Sequence, residues 1–180
     1  MQSDLVEYSS YLRNYENYAT DVLLKDLSKT GITEQCIFNS LNNFHVCDNI
    51  VFDIMHDLFE GVAKYDICKI LSYLIIEKKY FTLDMLNYRK QMFNYGPTEI
   101  GNLSKEITLA HLKSNTIKMT AREMMTFIHF LPLILTDLIP RNDQVGKFLI
   151  TLVKLVDMVL KTSFKETDIE NLDKIIFEHN

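Results

Sequence analysis

The chain has 180 residues, 47% of them hydrophobic and 24% charged, with a formal net charge of −5. That length supports one helical domain, residues 1–180, with a real core, and the acidic balance argues against autonomous binding to nucleic acid, which calls for a basic surface. Five glycines and three prolines leave little room for long irregular regions. The longest apolar run, Phe127 to Leu135, carries His129 and Pro132 and is too short to span a bilayer. The N-terminus opens on polar residues without a secretory leader pattern. Cys36, Cys47 and Cys68 are odd in number, match no zinc spacing and include no Cys-x-x-Cys pair. They read as buried, reduced thiols of an intracellular protein, cytoplasmic or nuclear. No run of Lys and Arg is dense enough for a nuclear import cluster.

Residues 4–26 read as a first helix, with Leu5, Tyr8, Leu12, Tyr15, Ala19, Val22 and Leu23 at helical spacing. Gly31 is suited to the left-handed stop. A short helix is expected over 33–41, packing Cys36, Ile37 and Leu41. Residues 44–46 admit a short extended segment, and Asp48-Asn49 is a turn signal. A helix then starts near Asp53 and runs to about Glu77, with Gly61 marking a kink or a close contact. Thr82 caps the next helix, which Tyr95-Gly96-Pro97 stops. Residues 96–118 form the longest loop, apart from a turn around 109–113, and so the mobile or partner-facing segment. Thr120-Ala121-Arg122-Glu123 has the form of a capping box. It opens a helix apolar nearly all round, expected to be central and to kink at Pro132. A helix using Val145 to Val159 follows. Ser163 to Glu166 cap a last one holding Ile169, Leu172, Ile175, Ile176 and Phe177. The fold class is therefore all-α, an irregular bundle of about six to eight helices.

The densest chemistry lies in Asp53, His56, Asp57 and Glu60. These stand at offsets 0, 3, 4 and 7 and would share one face of an α-helix, backed by Ile54, Met55, Leu58, Phe59 and Val62 facing a core. Carboxylates and imidazole so placed can share a divalent cation such as Mg²⁺ or Mn²⁺. The plainer reading is a solvated face, with Glu60 paired to Lys64 at i,i+4 and Asp53 capping the helix while it orients His56. The other histidines carry less: His45 is a core or rim residue, His111 sits in the loop, His129 satisfies a backbone carbonyl in the buried helix, and His179 lies near the end. A nucleophilic pair of Cys47 with His45 or His56 has no local signature in its favour.

Phe44-His45-Val46 followed by Asp53-Ile54-Met55-His56-Asp57-Leu58-Phe59-Glu60-Gly61-Val62 resembles the block found in transposase-derived proteins related to the DDE-type cut-and-paste transposases of the CACTA kind. Lys79 to Leu83, Phe93 to Gly96, Asp137 to Pro140 and Glu178-His179-Asn180 fit the same block, so the resemblance covers nearly the whole chain. In that superfamily an Asp-x-x-His motif accompanies an all-α insertion into an RNase H-like fold, and Asp53 and His56 match it. The resemblance implies a full-length enzyme that cuts and joins DNA with Mg²⁺ or Mn²⁺ held by three carboxylates, two of them upstream of Met1. The catalytic residues of this chain stay unassigned: Glu60 is a candidate for the catalytic Glu, but it stands close to the Asp53–His56 pair for that assignment.

The expectation is therefore a truncated or domesticated, transposase-derived helical domain that is inactive by itself and needs no cofactor as this chain. Its partners would be the rest of a transposase core or a second copy of itself, with weak or no DNA binding alone and no membrane. The alternatives are a helical protein-interaction module and an independent metal-dependent hydrolase using Asp53, His56, Asp57 and Glu60.

Overall fold

The structure is a computed structural model that describes residues 13–50, 53–97 and 102–179. Among them the chain is all-α, with nine α-helices and no strand. It divides into two compact units, Met1–Phe52 and Asp53–Asn180, each taken here by itself.

In the first unit, α1 spans Tyr15–Leu24, α2 Leu27–Thr30 and α3 Val46–Asn49, with a 3-10 turn at Ile37–Ser40. The part of the expected first helix before Arg13 lies outside the described residues. α1 begins later than the apolar spacing suggests because Asn14 caps it, its side chain accepting from the Glu16 and Asn17 amides. The packing face also differs from expectation. Tyr18 is the buried residue, whereas Tyr15 and Leu23 are exposed. The Tyr18 hydroxyl accepts the Cys36 amide at 2.7 Å, which rewards burying this ring over its neighbours. Gly31 takes the left-handed conformation, φ 72°, and closes α2. The helix expected over 33–41 shrinks to the 3-10 turn. His45 is extended, and Asp48-Asn49, read as a turn, sits inside α3.

In the second unit, a π-helix at Met55–Val62 leads into α4, Ala63–Ser72, and a second π-turn, Tyr73–Glu77, follows. Then come α5 (Leu83–Met92), α6 (Leu109–Lys113), α7 (Ala121–Leu135), α8 (Gln144–Val159) and α9 (Glu166–His179). Thr82 and the Thr120–Glu123 capping box open α5 and α7 as the sequence indicates. α7 is central, with eight buried residues, and α4 shares that centre, packing on α6, α7 and α8. Pro132 lies inside α7, which continues past it to Leu135. The final helix starts after Lys165 rather than at a Ser163 cap: the Lys165 amide donates to Asp168 and its carbonyl accepts the Asp168 amide.

The described part of the long loop is tied down. Ile107, Leu112 and Ile117 are buried. Asn87 brackets Ile107, donating to its carbonyl at 2.8 Å and accepting its amide at 2.9 Å. Buried Lys90 donates to the Ser104 carbonyl and hydroxyl, both at 3.1 Å, and to the Lys105 carbonyl. Burial pushes its ammonium down to about 8, still charged at neutral pH.

Asp143 joins three elements. Its Oδ1 caps α8 by accepting the Gly146 amide at 2.9 Å, and its Oδ2 accepts the Tyr80 hydroxyl at 2.9 Å and the Tyr73 hydroxyl at 3.3 Å. Burial pushes this carboxyl up, but the amides and the two phenols outweigh it and hold it below the usual range. Asp143→Ala is expected to cost about 2–3 kcal/mol, the sum of a lost cap and two stranded hydroxyls, against about 1 kcal/mol for Tyr80→Phe. Urea unfolding of the three proteins measures both. Because the folded value is depressed, this contribution is present above the unfolded value near 3.8 and is lost as pH falls through the folded one.

Candidate functional site

Asp53 precedes the first helical residue and caps the turn. Its Oδ1 accepts the Met55 amide at 2.9 Å, while Oδ2 takes the Nδ1–H of His56 at 2.6 Å. A carboxylate can only accept, so it fixes the proton on Nδ1 and leaves Nε2 facing out. The Asp57 carboxylate turns back to accept the Asp53 amide at 2.9 Å. The hydrogen bond from His56 holds Asp53 below the usual carboxylate range, and the same bond holds His56 above the usual imidazole value, with Glu60 and Asp57 adding to it. Both side chains are more than half exposed, so water screens the pair.

The stripe expected on one α-helical face is altered by the π-helix. Its wider turn takes residues i and i+4 out of α register. No Glu60–Lys64 ion pair forms among the described residues, so that part of the solvated-face reading is corrected. Asp53 and His56 meet, and Asp57 joins them through the backbone. No three His, Cys, Asp or Glu residues among those described converge as a group able to hold a metal ion. The donor set explains this: both Asp53 oxygens and one of Asp57 are already engaged within the turn. As placed, the four residues do not fit a divalent cation, which calls for several converging oxygens.

The apolar backing is also thinner than expected. Phe59 is buried, but Ile54, Met55 and Val62 are 37%, 43% and 46% exposed. Ile54, Met55 and Phe59 instead line an open groove of about 340 Å³ with Met125 and Leu160. At Gly61 the helix breaks, with φ −101° and ψ −107°, and a β-carbon there would stand 3.0 Å from the His56 carbonyl oxygen. The glycine thus lets the π-helix close on the backbone of the histidine, as the kink reading anticipates.

The remaining candidates resolve into structural contacts. His45 stacks on Tyr15 at 4.0 Å, and its Nδ1 accepts the Cys47 amide at 3.2 Å. Burial pushes the Cys47 thiol up, away from the thiolate a nucleophile needs. His111 completes the Thr108 cap of α6. His129 Nδ1 lies 2.8 Å from the Met125 carbonyl, as the sequence reading has it, and Nε2 lies 2.7 Å from Asp157. His179 reaches Asp66 at 2.8 Å. Asp66, Asp157 and Lys90 escaped the sequence reading. Their partners lie 113, 28 and 14–15 residues away, and no local pattern points to them. No family model, curated protein or solved structure matches the chain.

In an NMR titration His56 is expected to titrate above the ordinary imidazole value of 6.5, and Asp53→Asn to bring it back down. Asp53 contributes stability above its unfolded value of 3.8 that is lost as pH falls through its lower folded one. His56 contributes below 6.5, and that share is lost as pH rises through its higher folded value. The pair is thus strongest between the two unfolded values, 3.8 and 6.5. Gly61→Ala must displace the His56 carbonyl and is expected to cost about 1–3 kcal/mol in chemical denaturation.

Proposed function

We propose that this chain is the all-α insertion region of a transposase-derived protein related to the CACTA-like DDE transposases, and that it is catalytically inactive by itself. The observation that carries the reading is the Asp53–His56 pair. The two residues that match the family's Asp-x-x-His motif bond at 2.6 Å at the head of a helix, within a chain that is all-α over its described residues. The pair acts as a positioning element: it closes the first turn, orients the ring and fixes its tautomer.

In a full-length relative the Mg²⁺ or Mn²⁺ that supports DNA cleavage and strand transfer would sit on three carboxylates of the RNase H-like core. Asp53, His56, Asp57 and Glu60 do not fit that ion, and no step is assigned to them. This chain would serve as helical support to that core, at the DNA and therefore in the nucleus. With a net charge of −5 it would bind DNA weakly or not at all without the core. No helix among the described residues is long and apolar enough to cross a membrane. A second reading, a helical interaction module without enzymatic role, is favoured by the apolar side chains exposed on α9, where Phe177 is 85% accessible.

Long-read sequencing of the transcript separates the two. The transposase reading expects the open frame to run upstream into a strand-rich segment with two aspartates and downstream to a glutamate. A transcript bounded by its own start and stop at these codons would instead favour the module. The purified chain is expected to leave supercoiled plasmid intact in Mg²⁺ or Mn²⁺, and its melting midpoint is expected not to move with Mn²⁺. Nicking that needs Mn²⁺ and is abolished by His56→Ala and Asp57→Ala would make the chain a hydrolase in its own right.

A further inference from the structure

Two surfaces of the second unit complement each other in shape and charge. The first is a groove of about 370 Å³ between the end of α7 and the start of α8, walled by Pro132, Leu133, Ile139, Pro140, Leu149 and Ile150. Leu133 and Ile150 are 60% and 43% exposed. Arg141 and Lys147 stand at its rim, exposed, and neither is ion-paired among the described residues. The one carboxylate lining it, Asp143, is taken up by the Gly146 amide and two tyrosines.

The second surface is the outer face of α9. Asp168, Leu172, Ile175 and His179 are its half-buried side. The opposite side carries Phe177 and Ile169, 85% and 56% exposed. Asp173 and Glu170 precede Phe177 by four and seven residues and share its face one and two turns away, while Lys174 precedes it by three. The groove thus offers an apolar slot with two unpaired cations, and α9 offers an aromatic knob whose flanking charges are acidic on balance, Glu170 and Asp173 against Lys174.

We propose that the chain associates with a second copy of itself head to tail, Phe177 of one copy entering the α7–α8 groove of the next while Glu170 and Asp173 meet Arg141 and Lys147. Within the described residues of the second unit, α9 does not reach its own α7–α8 groove. α9 lies on the Phe148 side of α8, the Phe148 and His179 rings being 4.9 Å apart, whereas Ile150 of the groove is two residues on and so roughly 200° around the helix. Pairing of α9 with α9 would set two faces of the same acidic balance, Glu170 and Asp173 against one Lys174, against each other, which like-charge repulsion disfavours. A heterologous contact of this kind does not close on itself, so it builds open chains. One knob in one groove is a small interface, and its affinity falls at the weak, transient end. The inference is independent of the transposase reading, since it uses neither Asp53 nor His56.

Sedimentation equilibrium of the full chain at low salt tests it. The mass is expected to rise with concentration past that of a dimer and to fall back as salt is added. Phe177→Asp, and separately Arg141→Glu with Lys147→Glu, are each expected to weaken association on the order of 10-fold or more, with wild-type melting curves because all three side chains are exposed. An equimolar mixture of the two variants has one good groove and one good knob and is expected to form a heterodimer that grows no further. Adding Glu170→Lys and Asp173→Lys to the groove variant is expected to restore its association. A monomer at all concentrations would overturn the proposal. So would association that Phe177→Asp abolishes but the groove variant keeps, which would mean α9 pairs with α9. A mixture that stays monomeric would overturn it as well.

Discussion

The second unit depends on the fit of α4 against α7. Ala63, Ile67, Cys68, Leu71 and Leu74 have no accessible surface, and neither have Ile128, Leu131 and Leu135 facing the same core. Each leucine and isoleucine among them contributes about 1.5–3 kcal/mol by leaving water. That packing fixes the rotation of α4 about its axis. A π form flanks α4 on both sides, at Met55–Val62, where the backbone breaks at Gly61, and at Tyr73–Glu77. The wider turns re-phase what precedes and follows a segment whose own register is fixed, so the orientation of the Asp53–His56 turn follows from the core beneath it. Asp143 acts in the same sense at the other end, drawing Tyr73 of the second π-turn toward the start of α8.

The site itself is held by short-range electrostatics. Asp53 spends one oxygen on the Met55 amide and the other on His56, and Asp57 spends one on the Asp53 amide. Carboxylates committed in this way order a turn and an imidazole, and they are correspondingly poor at gathering around a cation.

Legibility in the sequence followed the range of the interaction. Caps were readable because Thr82, Thr120 and Gly31 act within four residues of themselves. The central helix was readable because Met124, Phe127, Ile128, Leu131 and Leu135 repeat at helical spacing. The bond between Asp53 and His56 was readable for the same reason. The π-helix was not: nothing in Met55 to Val62 distinguishes it from an α-helix except Gly61, because the extra width is imposed by packing elsewhere. Lys90 was equally hidden. A lysine on a polar helix reads as exposed, and only the fold of residues 102–107 over it supplies the three oxygens that let it be buried. In the first unit, Tyr18 outranked Tyr15 through a hydrogen bond to Cys36, a partner that periodicity cannot reveal.

The three thiols also differ in a way that the packing decides. Cys68 has no accessible surface, and burial raises its thiol, whereas Cys36 and Cys47 are half-buried in the other unit. A thiol reagent meets Cys36 and Cys47 through small local openings, but reaches fully buried Cys68 only when the core around α4 opens. The chain therefore carries its own pair of clocks: the alkylation rate of Cys68 reports the opening of the second unit's core, and that of Cys36 and Cys47 reports local openings in the first.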